Sequence, residues 1–173
     1  MGIRSLSFRC AASSNTAAGF GARRWLVPAL ALLCAGPAAA IEPVPLFSTG
    51  ELEVAGHRVH VEVATRRAAH RQGLQHRQSL PADTGMLFVF DTPNERCFWM
   101  LHTPLPLSVA FIDGDGRIVH IAAMAPNSRE RHCSPPGVGI SQALEMPQGW
   151  FATRGIAPGA SVTRLQVGEA EGY

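Results

Sequence analysis

Met86-Leu87-Phe88-Val89-Phe90, Cys97-Phe98-Trp99-Met100-Leu101, Val109-Ala110-Phe111-Ile112 and Ile118-Val119-His120-Ile121 are four short, nearly unbroken apolar runs. A strand wetted on one face alternates apolar and polar side chains, so these runs predict strands covered on both faces. Asp113-Gly114-Asp115-Gly116 joins the last two as a hairpin. Upstream, residues 51–55 and 58–64 flank Gly56-His57 as a second hairpin. In its second arm Val59, Val61 and Val63 face one way, and His60 and Glu62 the other. Over residues 65–77 the alternation gives way to a helical pattern, with Ala68, Ala69 and Leu74 inward and Gly73 weakening it. Residues 81–85 read as a turn, and 125–139 as a long polar loop holding Pro126, Pro135 and Pro136. Residues 142–146 read as a strand, 148–154 as one or two helical turns, 155–159 as a turn and 161–167 as a closing strand. The expected fold is mainly β (α+β): a small, largely antiparallel barrel or sandwich of about seven or eight strands with one or two short helices.

The chain of 173 residues suits one core better than two. A hydrophobic fraction of 46% excludes a disordered or collagen-like chain. All 15 basic residues are arginine. Without lysine there is no Schiff-base nucleophile, no Walker-type phosphate lysine and no Ser-Lys dyad.

The first forty residues read as an address. Arg4, Arg9, Arg23 and Arg24 precede an apolar run from Trp25 to Gly36, and Ala38-Ala39-Ala40 supplies a small-residue cleavage site. That is the pattern of a secretory signal peptide. The apolar run is too short for a membrane anchor, which needs about 20 residues. Neither the Arg23-Arg24 pair nor Cys34, preceded by Leu33, makes a good twin-arginine or lipidation signal. Cleavage after Ala40 and a periplasmic or secreted location are the expectation. A lead-in segment at 41–48, one domain at 49–168 and a tail at 169–173 would follow, with no transmembrane segment left after cleavage. The mature chain then has eleven arginines against thirteen acids, net −2. No basic stripe remains to suggest nucleic acid as a partner. Cys97 and Cys133 are the two cysteines left, and in an oxidising compartment they are expected to form one disulfide. The competing reading is a catalytic thiol at Cys133 beside His132, a neighbour that extended backbone points the opposite way.

There is no G-x-S-x-G, H-E-x-x-H, G-x-G-x-x-G or C-x-x-C. Asp113-x-Asp115-Gly116 opens like a calcium loop but lacks the remaining ligands. Among seven histidines, His60-Val61-Glu62 alone puts two ligand types on one strand face. Cys97, Met100 and Met124 form a soft-ligand set for copper, although methionine on core strands usually packs. His120 reads as a hydrogen-bonded core histidine. No cofactor is indicated.

The more suggestive segment is Leu101-His102-Thr103-Pro104-Leu105-Pro106-Leu107, a rigid corner beside Trp99. Glu145 is a carboxylate inside the apolar stretch Ala143-Leu144-Glu145-Met146. Converging near Trp99, His102 and Glu145 would form an acid/base or ligand-orienting pair. The blander expectation, ranked above it, pairs Glu145 with an arginine, Arg77 or Arg96.

Gly73-Leu74-x-x-Arg77-x-x-Leu80-Pro81, Gly85-Met86-Leu87-Phe88-Val89-Phe90, Phe98-Trp99-Met100, Thr103-Pro104-Leu105-Pro106-Leu107, Phe111-Ile112-Asp113, Ala143-Leu144-Glu145 and Gly155-Ile156 together resemble the family called domain of unknown function 192. The order and spacing agree over roughly residues 52–166. The resemblance implies a small single domain, often behind a signal peptide, with no established activity. Exported members of similar type also carry cysteines at the positions of Cys97 and Cys133. The family usually reads W-M-K-N-T where this chain has Trp99-Met100-Leu101-His102-Thr103, so any role of that Lys-Asn pair is either lost here or passes to His102. It usually has Met after Gly-Leu, where Gln75 stands here.

The expected function is an exported envelope module that binds or assists without catalysis, its partner a small molecule or envelope component. Trp99, His102, Thr103, Arg77 and Glu145 are the candidate ligand-binding residues. The rivals are a small periplasmic hydrolase or lyase using His102 and Glu145, and periplasmic metal handling.

Overall fold

The computed structural model describes residues 45–168. The expected leader, the start of the lead-in segment and the tail lie outside the described residues. Strand takes 47% of what is described and helix 8%, in nine strands and two short helices, so the fold is mainly β. The order is β1 (Ser48–Val54), β2 (His57–Ala64), α1 (Arg67–Gln72), β3 (Thr84–Asn94), β4 (Cys97–Phe98), β5 (Leu107–Ile112), β6 (Ile118–Met124), β7 (His132–Cys133), β8 (Ile140–Pro147), α2 (Trp150–Thr153) and β9 (Val162–Gly168).

Seven strands form one curled sheet, a half-barrel, in the order β6-β5-β8-β3-β2-β1-β9. β4 and β7 pair separately. The two edges of the large sheet meet at one end. There Arg117 bridges Ser161, and Val162 N–H donates to the Gly116 carbonyl at 2.8 Å. All pairings are antiparallel except β2 with β3, which run parallel. Parallel neighbours cannot be joined by a tight turn. The chain therefore crosses over through α1, which brings Ala69 and Leu74 onto the outer face.

Both faces of the central strands are covered. Leu87 on β3, Ala110 and Ile112 on β5, and Leu144 and Met146 on β8 point inside the curl with Val59, Val61 and Val63. Trp150 and Phe151 of α2 plug that inner layer. Trp150 Nε1–H donates to the Asp83 carboxylate at 2.8 Å, which Arg154 also binds at 2.6 Å. The opposite side chains of the same strands, Met86, Phe88, Leu107, Val109, Phe111 and Ala143, form an outer layer with Ala69, Leu74 and Met100. All six residues of β5 are buried, which is why that run carries no polar alternation.

Three expectations need correction. The helix expected over 65–77 lasts six residues, because Gly73 adopts φ +48° and turns the chain out of the helical path. The apolar run 97–101 is not a buried strand. Only Cys97–Phe98 pairs, Trp99 is 58% exposed, and Met100 plugs the outer layer from a turn. β6 is an edge strand whose middle residues are only half-buried, so it is not covered on both faces.

Cys97 and Cys133 are disulfide-bonded and stand directly opposite each other on β4 and β7. The alternative of a nucleophilic Cys133 thiol is thereby removed, since the sulfur is committed to Cys97. The bond closes a loop across a separation of 36 residues, for which chain entropy gives about 3–4 kcal/mol. Replacing both cysteines by alanine is expected to lower unfolding free energy by about that amount in urea titration, with little change in strand content. Gly85 supplies a second test. A Cβ there would lie 2.3 Å from the Glu145 carbonyl oxygen and 2.4 Å from Met146 Sδ, so backbone must move. Gly85→Ala is expected to destabilise by at least about 2–3 kcal/mol, read from the urea midpoint.

Candidate functional site

The register places Glu62 of β2 beside Met86 of β3, Met86 beside Glu145 of β8, and Glu145 beside Val109 of β5. Glu62 and Glu145 therefore share the outer face, two strands apart. A cavity lies over each. The smaller, about 40 Å³, is floored by Glu145 and Phe88 and walled by residues 70–75, Trp99 and Thr103. The larger, about 570 Å³, is bounded by β1, β2, the 79–81 segment and the start of β3. The chain between Gly73 and Pro81 borders both: Gly73, Leu74 and Gln75 line the first, and Arg77, Ser79, Leu80 and Pro81 the second.

Glu145 is only 5% exposed and makes no ion pair among the described residues. Burial without a compensating charge pushes its carboxyl up to about 8. At neutral pH it is thus mostly a neutral acid. Neither expected arginine reaches it. Arg77 Nη2 donates instead to both carboxylate oxygens of Glu62, at 2.7 and 2.5 Å. Arg96 donates to the Thr92 carbonyl at 2.6 Å and stacks over Phe90 at 4.1 Å. The expectation that an arginine neutralises Glu145 is corrected: Arg77 stands over the strand two places away.

Three of the five expected ligand residues line the small cavity: Trp99, Thr103 and Glu145. Thr103 is buried and firmly placed. Its N–H donates to the Met100 carbonyl at 3.0 Å, and its carbonyl accepts from Asn127 N–H at 2.9 Å. Arg77 lines the large cleft, and His102 lines neither cavity. His102 has φ +57° and stacks on His76 with ring centroids 5.5 Å apart. Its carbonyl accepts the His76 N–H at 2.8 Å. The imidazole that does line the Glu145 cavity is His70 of α1, whose Nε2 lies 3.0 Å from the Ala64 carbonyl. No spacing in the sequence singled out His70, because its position depends on where α1 crosses the sheet.

The other histidine and sulfur candidates separate. His60 Nδ1 lies 3.2 Å from Glu51, and Glu62 is taken by Arg77. Cys97 is bonded to Cys133, and Met100 and Met124 are buried in the outer layer. His120 stacks on Phe111 from the half-buried edge strand. Among the described residues, no three His, Cys, Asp or Glu side chains cluster as metal ligands.

Among the described residues, a half-barrel with cavities over Glu62 and Glu145 is the class that fold and site define. The chain belongs to the domain of unknown function 192 family (Uncharacterized ACR), whose pattern matches residues 50–164. It is similar in structure to a "putative transcription regulator" from Sinorhizobium meliloti 1021, with 28% identity and a TM-score of 0.66. That alignment covers 70% of this chain and 98% of the other. A protein of unknown function from Novosphingobium aromaticivorans DSM 12444 is similar at 30% identity and a TM-score of 0.64, covering 71% of this chain and 90% of its own. No curated protein matches the chain.

The Glu145 carboxyl makes stability depend on pH in a definite direction. Its folded-state pKa of about 8 lies above the ordinary 4.5, so the folded state holds its proton more tightly. That contribution is complete below about pH 4.5 and is lost as pH rises through about 8. The gap corresponds to roughly 5 kcal/mol at most. The charged or titratable groups bordering it are His70 and Arg71 of α1. Glu145→Gln, neutral at all pH, is expected to flatten the decline between about pH 5 and 9 and to exceed wild type in stability at the upper end. Urea unfolding across that range reads it.

Proposed function

We propose that this chain is an exported, non-catalytic binding module of the cell envelope that holds a small organic ligand in the cleft beside Arg77. The cleft itself carries the reading. Its volume of about 570 Å³ falls in the range of small-molecule sites, roughly 300–1,000 Å³. Leu80 and Pro81 give it an apolar wall, and Arg77, Glu62, His60 and Glu51 give it a polar one. Only Nη2 of Arg77 binds Glu62, which leaves the other guanidinium N–H groups for an acceptor on a ligand. A molecule with an apolar body and one carboxylate or carbonyl group fits that combination. The charged leader segment supports action outside the cytoplasm, as does the Cys97–Cys133 disulfide.

A thermal-shift panel of small organic acids, their amides and soluble envelope glycans tests the reading. At least one acid is expected to raise Tm by several degrees at a hundredfold its Kd, where linkage adds about 2.7 kcal/mol. Arg77→Ala should abolish the shift while leaving the ligand-free protein folded, because exposed ion pairs contribute only about 0–1 kcal/mol. A flat response across the panel, or an unchanged shift in R77A, overturns it.

A further inference from the structure

The Glu145 cavity is separate from that cleft and has its own chemistry. A buried carboxyl normally sits against a cation of its own chain. Here Arg77 and Arg96 are engaged elsewhere, and Arg71 borders the cavity without pairing with Glu145. The chain contains no lysine, so no side chain of its own can supply an ammonium. The Glu145 carboxyl instead borders a small cavity that is mostly polar in its lining. Beside it sits Thr103, whose hydroxyl donates to the Leu101 carbonyl at 3.5 Å and so keeps lone pairs for another donor. At the wall stands Trp99, among the described residues the most exposed of the large apolar side chains, which also borders a hollow of about 210 Å³ with Cys97, Phe98 and Arg131. An indole that is left in water beside a carboxyl offers a ring face to a cation. The volume sets the size of that cation. About 40 Å³ holds roughly three water-sized atoms, given some 10–15 Å³ for each. That accommodates the end of an alkylammonium but not a planar guanidinium with its stem.

We propose that this cavity binds a primary ammonium group, with Glu145 as counter-ion, the Thr103 hydroxyl as second acceptor and the Trp99 ring at its mouth. Binding then exchanges a proton for the ligand. The Glu145 O–H proton leaves to solvent, and the carboxylate pairs with the incoming ammonium; no covalent bond is made between protein and ligand. The other titratable or charged side chains lining the cavity are His70 and Arg71 on α1. Its strand neighbours Met86 and Val109 are apolar, and the next carboxylate, Glu62, is held by Arg77.

Calorimetric titration of the full chain with ethylamine tests this, run in two buffers of different ionisation enthalpy. Saturable binding is expected, with close to one proton released per site at about pH 7 and tighter binding at about pH 8.5 than at about pH 6. Glycinamide and Nα-acetyl-lysine amide, titrated in parallel, distinguish an α-amine from a lysine side chain as the source of the group. Glu145→Gln should weaken binding at least about tenfold and remove the proton release, since it keeps shape and loses charge. Its melting curve shows that it is folded. Trp99→Ala, at an exposed position, should weaken binding by about 2- to 30-fold. The proposal is overturned if no amine saturates the protein by about 100 mM, a Kd beyond specific recognition. It is equally overturned if E145Q binds ethylamine as wild type does, or if acetate rather than ethylamine binds in a manner that needs Glu145.

Discussion

The structure depends on one constraint: the central parts of β3, β5 and β8 are buried on both faces, so the sheet must be covered twice. Curling the sheet covers one face, with α2 as a plug inside the curl. The other face needs separate pieces, and the chain supplies α1, the corner after Trp99 and the short β4–β7 ribbon. None of these is stable alone. A helix of six residues is far below the length that holds in water, and a two-residue ribbon is no sheet. They are fixed by being tied to one another. Met100 N–H donates to the Ser128 carbonyl at 3.0 Å, Asn127 N–H to the Thr103 carbonyl at 2.9 Å, and Ser134 N–H to the Arg96 carbonyl at 2.8 Å. The Cys97–Cys133 bond locks the ribbon that these ties extend.

That cover explains why a carboxyl can sit where Glu145 does. On β8, Ala143 and Glu145 alternate outward, so the residue two places after Ala143 must enter the outer layer whatever its polarity. Had the cover been a long helix, Glu145 would be sealed among methyl groups. Because it is assembled from loop and turn segments, a gap remains between α1 and Thr103. The carboxyl is desolvated enough to hold its proton and still borders a polar space. Trp99 follows from the same geometry. Its neighbour Met100 is drawn into the layer, which turns the indole out to water.

Much of the scaffold is legible from the residues, because strand periodicity and turn chemistry act over a few positions. The 51–64 hairpin, the Asp113 turn, the run from Val109 to Ile112 and the closing strand all sit close to where apolar pattern and glycine spacing put them. Asp113 shows why: its carboxylate accepts from the N–H groups of Asp115 and Arg117, a purely local bond. Legibility ends where an apolar run can serve a layer without being a strand, as with Trp99-Met100-Leu101. It also ends where a parallel neighbour is reached by crossover, which leaves no mark on either strand. The site follows the same division. Glu145 lines a cavity with Trp99 and Thr103, without the His102 expected there; a proline-stiffened corner beside a core strand has few places to go. The arginine partner and the histidine were misplaced, because both depend on how α1 and the segment after it lie over the sheet.

The division of partners between the two carboxylates follows from strand spacing. Strands lie about 4.8 Å apart, so Glu62 and Glu145, with β3 between them, have backbones roughly 10 Å from each other. One guanidinium cannot pair with both. Arg77 emerges after Gly73 on the β2 side and takes Glu62, where both groups remain partly in water. An ion pair so placed contributes little to stability. The carboxylate whose neutralisation would have mattered most to the fold is the one left without a cation. Stability alone would favour the opposite choice, or an apolar residue at position 145. An arrangement that is costly in the core and inexpensive at the surface fits the proposal that the outer face binds ligands.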